Sequence, residues 1–342
     1  MGKISYDDYL KMLRDPDVPD EEIAAYSMVV SGTGSAFAPE LRPDPDKVDM
    51  SEDEQDLESA MKIGNGLARW RRQRKFKKRI KAGETLPVLV SEGDSWFQFP
   101  LIIRETIDQL RTKYLIWSVG AAGDTLENMV HGPLSKGKTE YMQALEKQRD
   151  RVQGFLFSAA GNDIIGESAT TGEPVLLEIL RPFNGDVNDV VGHLNLTVLG
   201  QKLAFLGQGY TQVIDTIRAD SRFTQLPIIV HGYDYVFPHP AGPKDPRNPL
   251  HAAKNKWLGA PLDERGINNT ALRRNIVKLL IDELYAMLFD IAGDSDSSRV
   301  WVVDCRNALP AVEDWADEIH GTSAGFAKVA GRFDAVLQQA LS

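Results

Sequence analysis

Five short, continuously apolar runs punctuate the chain after its first quarter, at residues 86–91, 114–119, 154–159, 226–231 and 299–304. None alternates apolar with polar positions, so each predicts a strand buried on both faces, as in a parallel sheet. Between the runs, apolar positions recur at helical spacing over 102–112, 140–152, 196–220 and 269–292, with a last stretch at 323–341. This β–α alternation predicts an α/β fold with an open, five-stranded parallel sheet covered by helices. Ligands of such sheets bind beyond the carboxyl ends of the strands, so chemistry is expected in the residues that follow each run.

The N-terminal part breaks the pattern. A short helical stretch, Tyr6 to Arg14, gives way to Asp-Pro pairs at Asp15-Pro16 and Asp44-Pro45, which read as an irregular arm. Charge divides the region further. Residues 1–60 carry 5 Lys/Arg and 16 Asp/Glu, net −11, whereas residues 61–82 carry 10 Lys/Arg and no acid, net +10. The expected organisation is therefore an acidic arm with a basic helix over 1–83 and an α/β domain over 84–342. The basic helix, Arg69–Lys81, has three readings. It could contact nucleic acid, lie on an anionic membrane with Trp70 and Phe76 as anchors, or pair internally with the acidic arm. The near-cancellation of +10 against −11 favours the internal match.

Composition narrows the class. With 342 residues, 42% hydrophobic and 26% charged, the chain can bury a substantial core. The net charge of −10 argues against a nucleic-acid coat protein, and none is expected as a partner. A single cysteine, Cys305, excludes an internal disulfide framework and a multi-cysteine zinc site. No apolar run reaches the roughly 18 residues of a membrane span, and no signal-peptide core is visible at the N-terminus. A cytoplasmic location is expected, with export by a route lacking a cleavable signal left open.

The strand ends carry the chemistry. Glu92-Gly93-Asp94-Ser95-Trp96 follows the first run, Gly120 to Thr125 the second, and Ala160-Gly161-Asn162-Asp163 the third. The fourth ends in His231-Gly232-Tyr233, and beyond the fifth comes Asp317-Glu318-Ile319-His320. A serine hydroxyl is a weak nucleophile until a base takes its proton, and His320 is the natural base for Ser95. Asp317, three residues before His320, suits the role of holding the other ring nitrogen. Developing oxyanion charge needs preorganised donors, which the N–H groups of Ser95 and Gly123 and the Asn162 amide would supply. Each residue taken singly has a blander reading: Asp94 or Ser95 as a helix cap, Asn162 as a turn residue, Asp317 as a surface acid. It is their joint occurrence at one sheet edge that speaks for a site.

These four blocks, Gly93-Asp94-Ser95, Gly123-Asp124-Thr125, Gly161-Asn162-Asp163 and Asp317-x-x-His320, resemble in order the SGNH hydrolase superfamily of GDSL-type esterases and lipases. The resemblance covers about residues 86–342. It implies a flavodoxin-like three-layer fold and hydrolysis of carboxylic esters through an acyl-enzyme, with neither cofactor nor metal. Trp96 stands where the family motif has leucine, which bears on substrate shape. The N-terminal arm is outside the family core.

Other motif matches fail on context. Gly132 to Thr139 fits a phosphate-binding loop literally, but no strand feeds it and Pro133 removes a backbone donor. Gly321-Thr322-Ser323-Ala324-Gly325 fits a nucleophile elbow, yet no histidine follows His320. No dinucleotide-binding glycine motif and no zinc-binding histidine pair occurs. His231 is open between a substrate contact and a core histidine. The loop 232–266 is expected to wall the pocket and the insertion 164–195 to cap it. A lipid ester is the preferred substrate, with acetylated sugar or a recruited interaction module as alternatives.

Overall fold

The computed structural model describes residues 3–30, 40–50, 65–99, 103–134, 137–166, 173–247 and 257–342. Much of the acidic stretch, at 31–39 and 51–64, lies outside them, as do parts of the two expected pocket loops at 167–172 and 248–256. Four short strands belong to the arm: β1 (Ile4–Ser5), β2 (Ser27–Val30), β3 (Glu40–Pro43) and β4 (Val48–Asp49). The arm is thus more regular than its Asp-Pro punctuation suggested. β1 pairs with β4 and β2 with β3, beside a small core of Tyr6, Tyr9, Leu13, Ile23, Leu41 and Val48. Strands this short show no period in sequence, which is why they were invisible there.

The central sheet follows, with β5 (Val88–Gly93), β6 (Leu115–Ser118), β7 (Val152–Ser158), β8 (Ile228–His231) and β9 (Val300–Val303), one on each apolar run. All neighbours are parallel and the order is β6-β5-β7-β8-β9. Counted within the sheet this is 2-1-3-4-5, the flavodoxin-like doubly wound order. Its direction reverses between β5 and β7, and Ser95 and Asn162 stand just beyond the carboxyl ends of those two strands. Helices flank the sheet and complete the three layers. Leu196–Arg218 packs with Thr270–Ala292, and Ser323–Ala340 packs with Thr106–Leu110. The helical stretch expected over 102–112 is shorter, Thr106–Leu110. Glu105 caps it by accepting from the Ile107 N–H at 2.7 Å, and Arg72 pins that carboxylate in place.

The basic helix, Asn65–Lys81, lies against β6, and its charges are largely matched within the chain. Arg71 is buried and donates to the carbonyls of Met12, Leu13, Asp15 and Val18 and to Asp20. It thereby caps the C-terminal end of the helix Tyr6–Arg14 and fastens the arm to the domain. Lys75 and Lys78 reach Asp20 and Asp17, and Arg69 reaches Glu140. Phe76, expected as a membrane anchor, is buried edge-on against Trp117 with ring centroids 5.4 Å apart. It belongs to the main core and cannot meet a lipid surface. What this helix still presents to solvent is Trp70, Arg74, Lys77 and parts of Lys78 and Lys81.

Candidate active site

The chain leaves β5 at Gly93, where a Cβ would stand 2.7 Å from the Ser158 Cβ, so β5 and β7 close up only with glycine there. Asp94 then folds the next residues into a tight turn. Its carboxylate accepts from the Trp96 N–H at 3.0 Å, and its carbonyl accepts from Phe97 and Gln98 at 3.0 and 2.9 Å. Ser95 sits on this turn with its hydroxyl directed at the last loop of the chain. The Ser95 Oγ donates to His320 Nε2 at 2.8 Å, and His320 Nδ1 donates to Asp317 Oδ2 at 2.8 Å.

Asp317 is held as firmly as it holds. Its Oδ1 accepts from the N–H groups of Ile319 and His320 at 2.8 and 2.7 Å. Burial alone would raise its carboxyl, but the facing His320 ring and these donors outweigh it and keep the group below its ordinary range. It is therefore an acceptor-only carboxylate, which fixes the histidine tautomer with the proton on Nδ1 and Nε2 free to accept. The His320 ring packs edge-on against Phe99, centroids 4.6 Å apart. Trp96, the departure from the family motif, donates its indole N–H to the Ile319 carbonyl at 3.0 Å. It ties the serine turn to the histidine loop.

The two glycine turns are stitched to each other. The Asn162 amide donates one hydrogen to the Asp124 carbonyl at 2.6 Å, leaving its second N–H for another acceptor. Asp163 accepts from Leu126 N–H at 2.9 Å. Gly123 has φ +83°, a left-handed conformation that suits glycine. Ser95 and Asn162 line one cavity. Gly123 is not among the residues lining it; its neighbour Asp124 is tied to Asn162 by the bond just described.

Behind the serine lies a buried polar chain that sequence reasoning did not find. His231 receives the Tyr233 N–H on Nδ1 at 3.2 Å and donates from Nε2 to Ser158 Oγ at 2.8 Å, which in turn donates to Asp94 Oδ1 at 2.9 Å. Burial pushes His231 down to about 3, so it is neutral. It is a core histidine between Phe97, Trp96 and Phe333, and does not line the cavity. Burial pushes Asp94 up to about 6 against its hydrogen bonds to Tyr233, Trp96 and Ser158.

Two buried groups secure the histidine loop from outside. Arg247 donates to the Asp317 carbonyl and the Phe237 carbonyl, each at 2.8 Å. Glu318 accepts from the N–H groups of His239, Leu258 and Gly259 at 2.7, 3.1 and 2.7 Å. Burial lifts Glu318 to about 7, against an ordinary 4.5. Folded Glu318 therefore keeps a proton across that window while the unfolded residue has lost it. Its contribution to stability is full below the window and fades as pH rises through it. Urea unfolding near about pH 5 and about pH 8 should show wild type losing stability with rising pH relative to Glu318→Gln. A relative gain would contradict the assignment.

The cavity itself has a volume of about 90 Å³. From Asp94, Ser95, Trp96 and Asn162 it runs between aliphatic side chains of two helices, Leu199, Leu203 and Leu206 on Leu196–Arg218 and Val277, Leu280, Ile281 and Leu284 on Thr270–Ala292. The loop 232–266 does wall it, through Tyr233, Val236 and Leu258. The insertion 164–195 contributes Ile164 and Ile165 among its described residues, and most of the described apolar wall comes from the two helices. Their helical period had already marked these leucines as core, and nothing in sequence separates a core leucine from a cavity-lining one. Among the described residues no three His, Cys, Asp or Glu side chains gather as metal ligands, and no helix is long and apolar enough to cross a membrane.

No protein-family model matches the chain, and no curated protein matches it in sequence. Among solved structures, an extracellular lipase from Streptomyces rimosus aligns over 73% of this chain and 99% of its own, at 12% identity and a TM-score of 0.44. A carbohydrate acetylesterase from Sinorhizobium meliloti aligns over 74% and 99%, at 12% identity and a TM-score of 0.39. Neither is similar enough to lend this chain its activity. By its own strand order the chain has an α/β three-layer sandwich of the flavodoxin-like kind, with the four blocks at the carboxyl rim of its sheet.

Proposed function

We propose that the chain is a serine hydrolase of carboxylic esters with short acyl groups. The observation that carries this reading is the unbroken line of hydrogen bonds from Ser95 Oγ through His320 to Asp317, beside a cavity lined mostly by aliphatic side chains. In the proposed cycle Ser95 Oγ attacks the ester carbonyl carbon while its proton passes to His320 Nε2. Asp317 stabilises the imidazolium so formed. The tetrahedral oxyanion takes hydrogen bonds from the Ser95 and Gly123 N–H groups and the free Asn162 amide hydrogen. The C–O bond then breaks, and the alcohol leaves with the proton from His320. Water repeats the attack on the acyl-enzyme, giving its proton to His320 and releasing the acid as Ser95 regains its own.

Cavity size supports the choice of acyl group. The space is small, about 90 Å³, and walled mainly by aliphatic side chains. That suits acetyl to butyryl rather than the long lipid chain preferred from sequence. Leu203 lines both this cavity and an open groove of about 700 Å³ between the two helices, and so stands as the partition.

The test is hydrolysis of p-nitrophenyl acetate, butyrate, octanoate and palmitate. Turnover should be highest at acetate or butyrate, and Leu203→Ala should move the optimum toward octanoate by joining cavity to groove. Palmitate as the best wild-type substrate would sink the short-acyl reading. An optimum that ignores Leu203→Ala would dissociate the cavity from acyl binding.

A further inference from the structure

We infer that Tyr233 is a positioning residue that locks the nucleophile turn to the oxyanion turn. The inference rests on the reading of Ser95 and Asn162 above and adds a residue to it. Ser95 and Asn162 stand on separate turns after separate strands, and their spacing must hold to a few tenths of an ångström for attack and oxyanion binding to coincide. One phenol bridges them. The Tyr233 hydroxyl is hydrogen-bonded to Asp94 Oδ2, the residue immediately before Ser95. It also accepts from the Gly161 N–H at 2.9 Å, the residue immediately before Asn162. The Ala159 carbonyl lies 2.7 Å away on the same turn.

Each part of the bridge is itself fixed. Tyr233 holds φ +67°, uncommon for a non-glycine residue. The backbone is kept there by Tyr285, whose hydroxyl donates to the Tyr233 carbonyl at 2.8 Å, and by the Tyr233 N–H on His231. Its ring meets Trp96 edge-on at 5.2 Å and lines the cavity. The ring also explains the glycine of the third block: a Cβ at Gly161 would lie 3.1 Å from the Tyr233 hydroxyl. Gly161 is thus the seat of the phenol as much as a turn residue.

A second buried phenol serves as the control. Tyr210 donates to the same Ala159 carbonyl at 2.8 Å and receives the Ala159 N–H at 3.3 Å. Both of these hydrogen bonds go to Ala159, which is adjacent to neither Ser95 nor Asn162. Tyr233→Phe and Tyr210→Phe should lose comparable thermal stability, since each deletes one buried hydroxyl. Only Tyr233→Phe should lower kcat, by about 10- to 100-fold with KM within about twofold, because orientation is lost and the pocket is kept. Gly161→Ala, which displaces the hydroxyl without removing it, should give the same split, so the test stands if one variant fails to fold. Equal kcat losses at Tyr233 and Tyr210, or a loss confined to KM, would overturn the positioning role alone. Absence of ester turnover in the wild type would overturn the underlying reading, and the role with it.

Discussion

Replacing Ser95 by Ala is expected to lower kcat for a short-chain p-nitrophenyl ester by on the order of 10⁶, with the fold intact. Ser95 is a small buried side chain whose hydroxyl bonds to His320, so its loss leaves one imidazole nitrogen unpaired and disturbs little packing. His320→Ala should cost about as much, and the double variant hardly more, because the two act as one unit. Asp317→Asn should be milder, on the order of 10⁴, since the ring loses the acceptor that fixes its tautomer. Initial-rate measurements on wild type and the four variants, with circular dichroism to confirm folding, check the series. Additive losses, or more than about a hundredth of turnover surviving in folded Ser95→Ala, would remove Ser95 from the mechanism.

The largest effect on stability is expected at Arg72. Its guanidinium is buried and donates to the Phe97 carbonyl at 2.8 Å, to Gln98 Oε1 at 2.7 Å, and to the carboxylates of Glu105 and Asp108. Burial pushes the Glu105 carboxyl well above its ordinary range even with Arg72 pulling against it. Arg72→Ala strands that group and cuts the link from the basic helix to the nucleophile turn. A loss of about 3–5 kcal/mol is expected from breaking such a buried pair, a large share of the total stability of a domain. Arg74→Ala on the exposed face of the same helix should change stability by less than about 0.5 kcal/mol. Urea unfolding of the three proteins decides it, and equal losses at Arg72 and Arg74 would refute the distinction.

The same residue shows why charge counting was half informative. The opposite charges of the arm and the basic helix were legible as a sum. Which cations are structural was not: Arg71 and Arg72 are buried among carbonyls and carboxylates, while Arg74 and Lys77 face water. Helical neighbours point in different directions, and what each meets is supplied by segments far away in sequence. Phe76 failed as an anchor for this reason, since Trp117 occupies the face it turns to.

The amino-acid sequence by itself determined the five buried strands and their parallel pairing, because short unbroken apolar runs alternating with helical stretches fit strands covered on both sides; the order of the strands came from the tertiary structure. It also singled out Ser95, Asp317, His320 and Asn162, because ester chemistry needs those side-chain types at strand ends. Tertiary structure alone decided the rest. Ser95 and His320 are 225 residues apart, and Asp94 and Tyr233 are 139 apart, so their meeting depends on how the sheet and its loops close. The dimensions of the cavity were likewise out of reach. They depend on how far two helices, each with an ordinary apolar face, stand from each other, and close packing makes that distance a property of the assembled core rather than of any one segment.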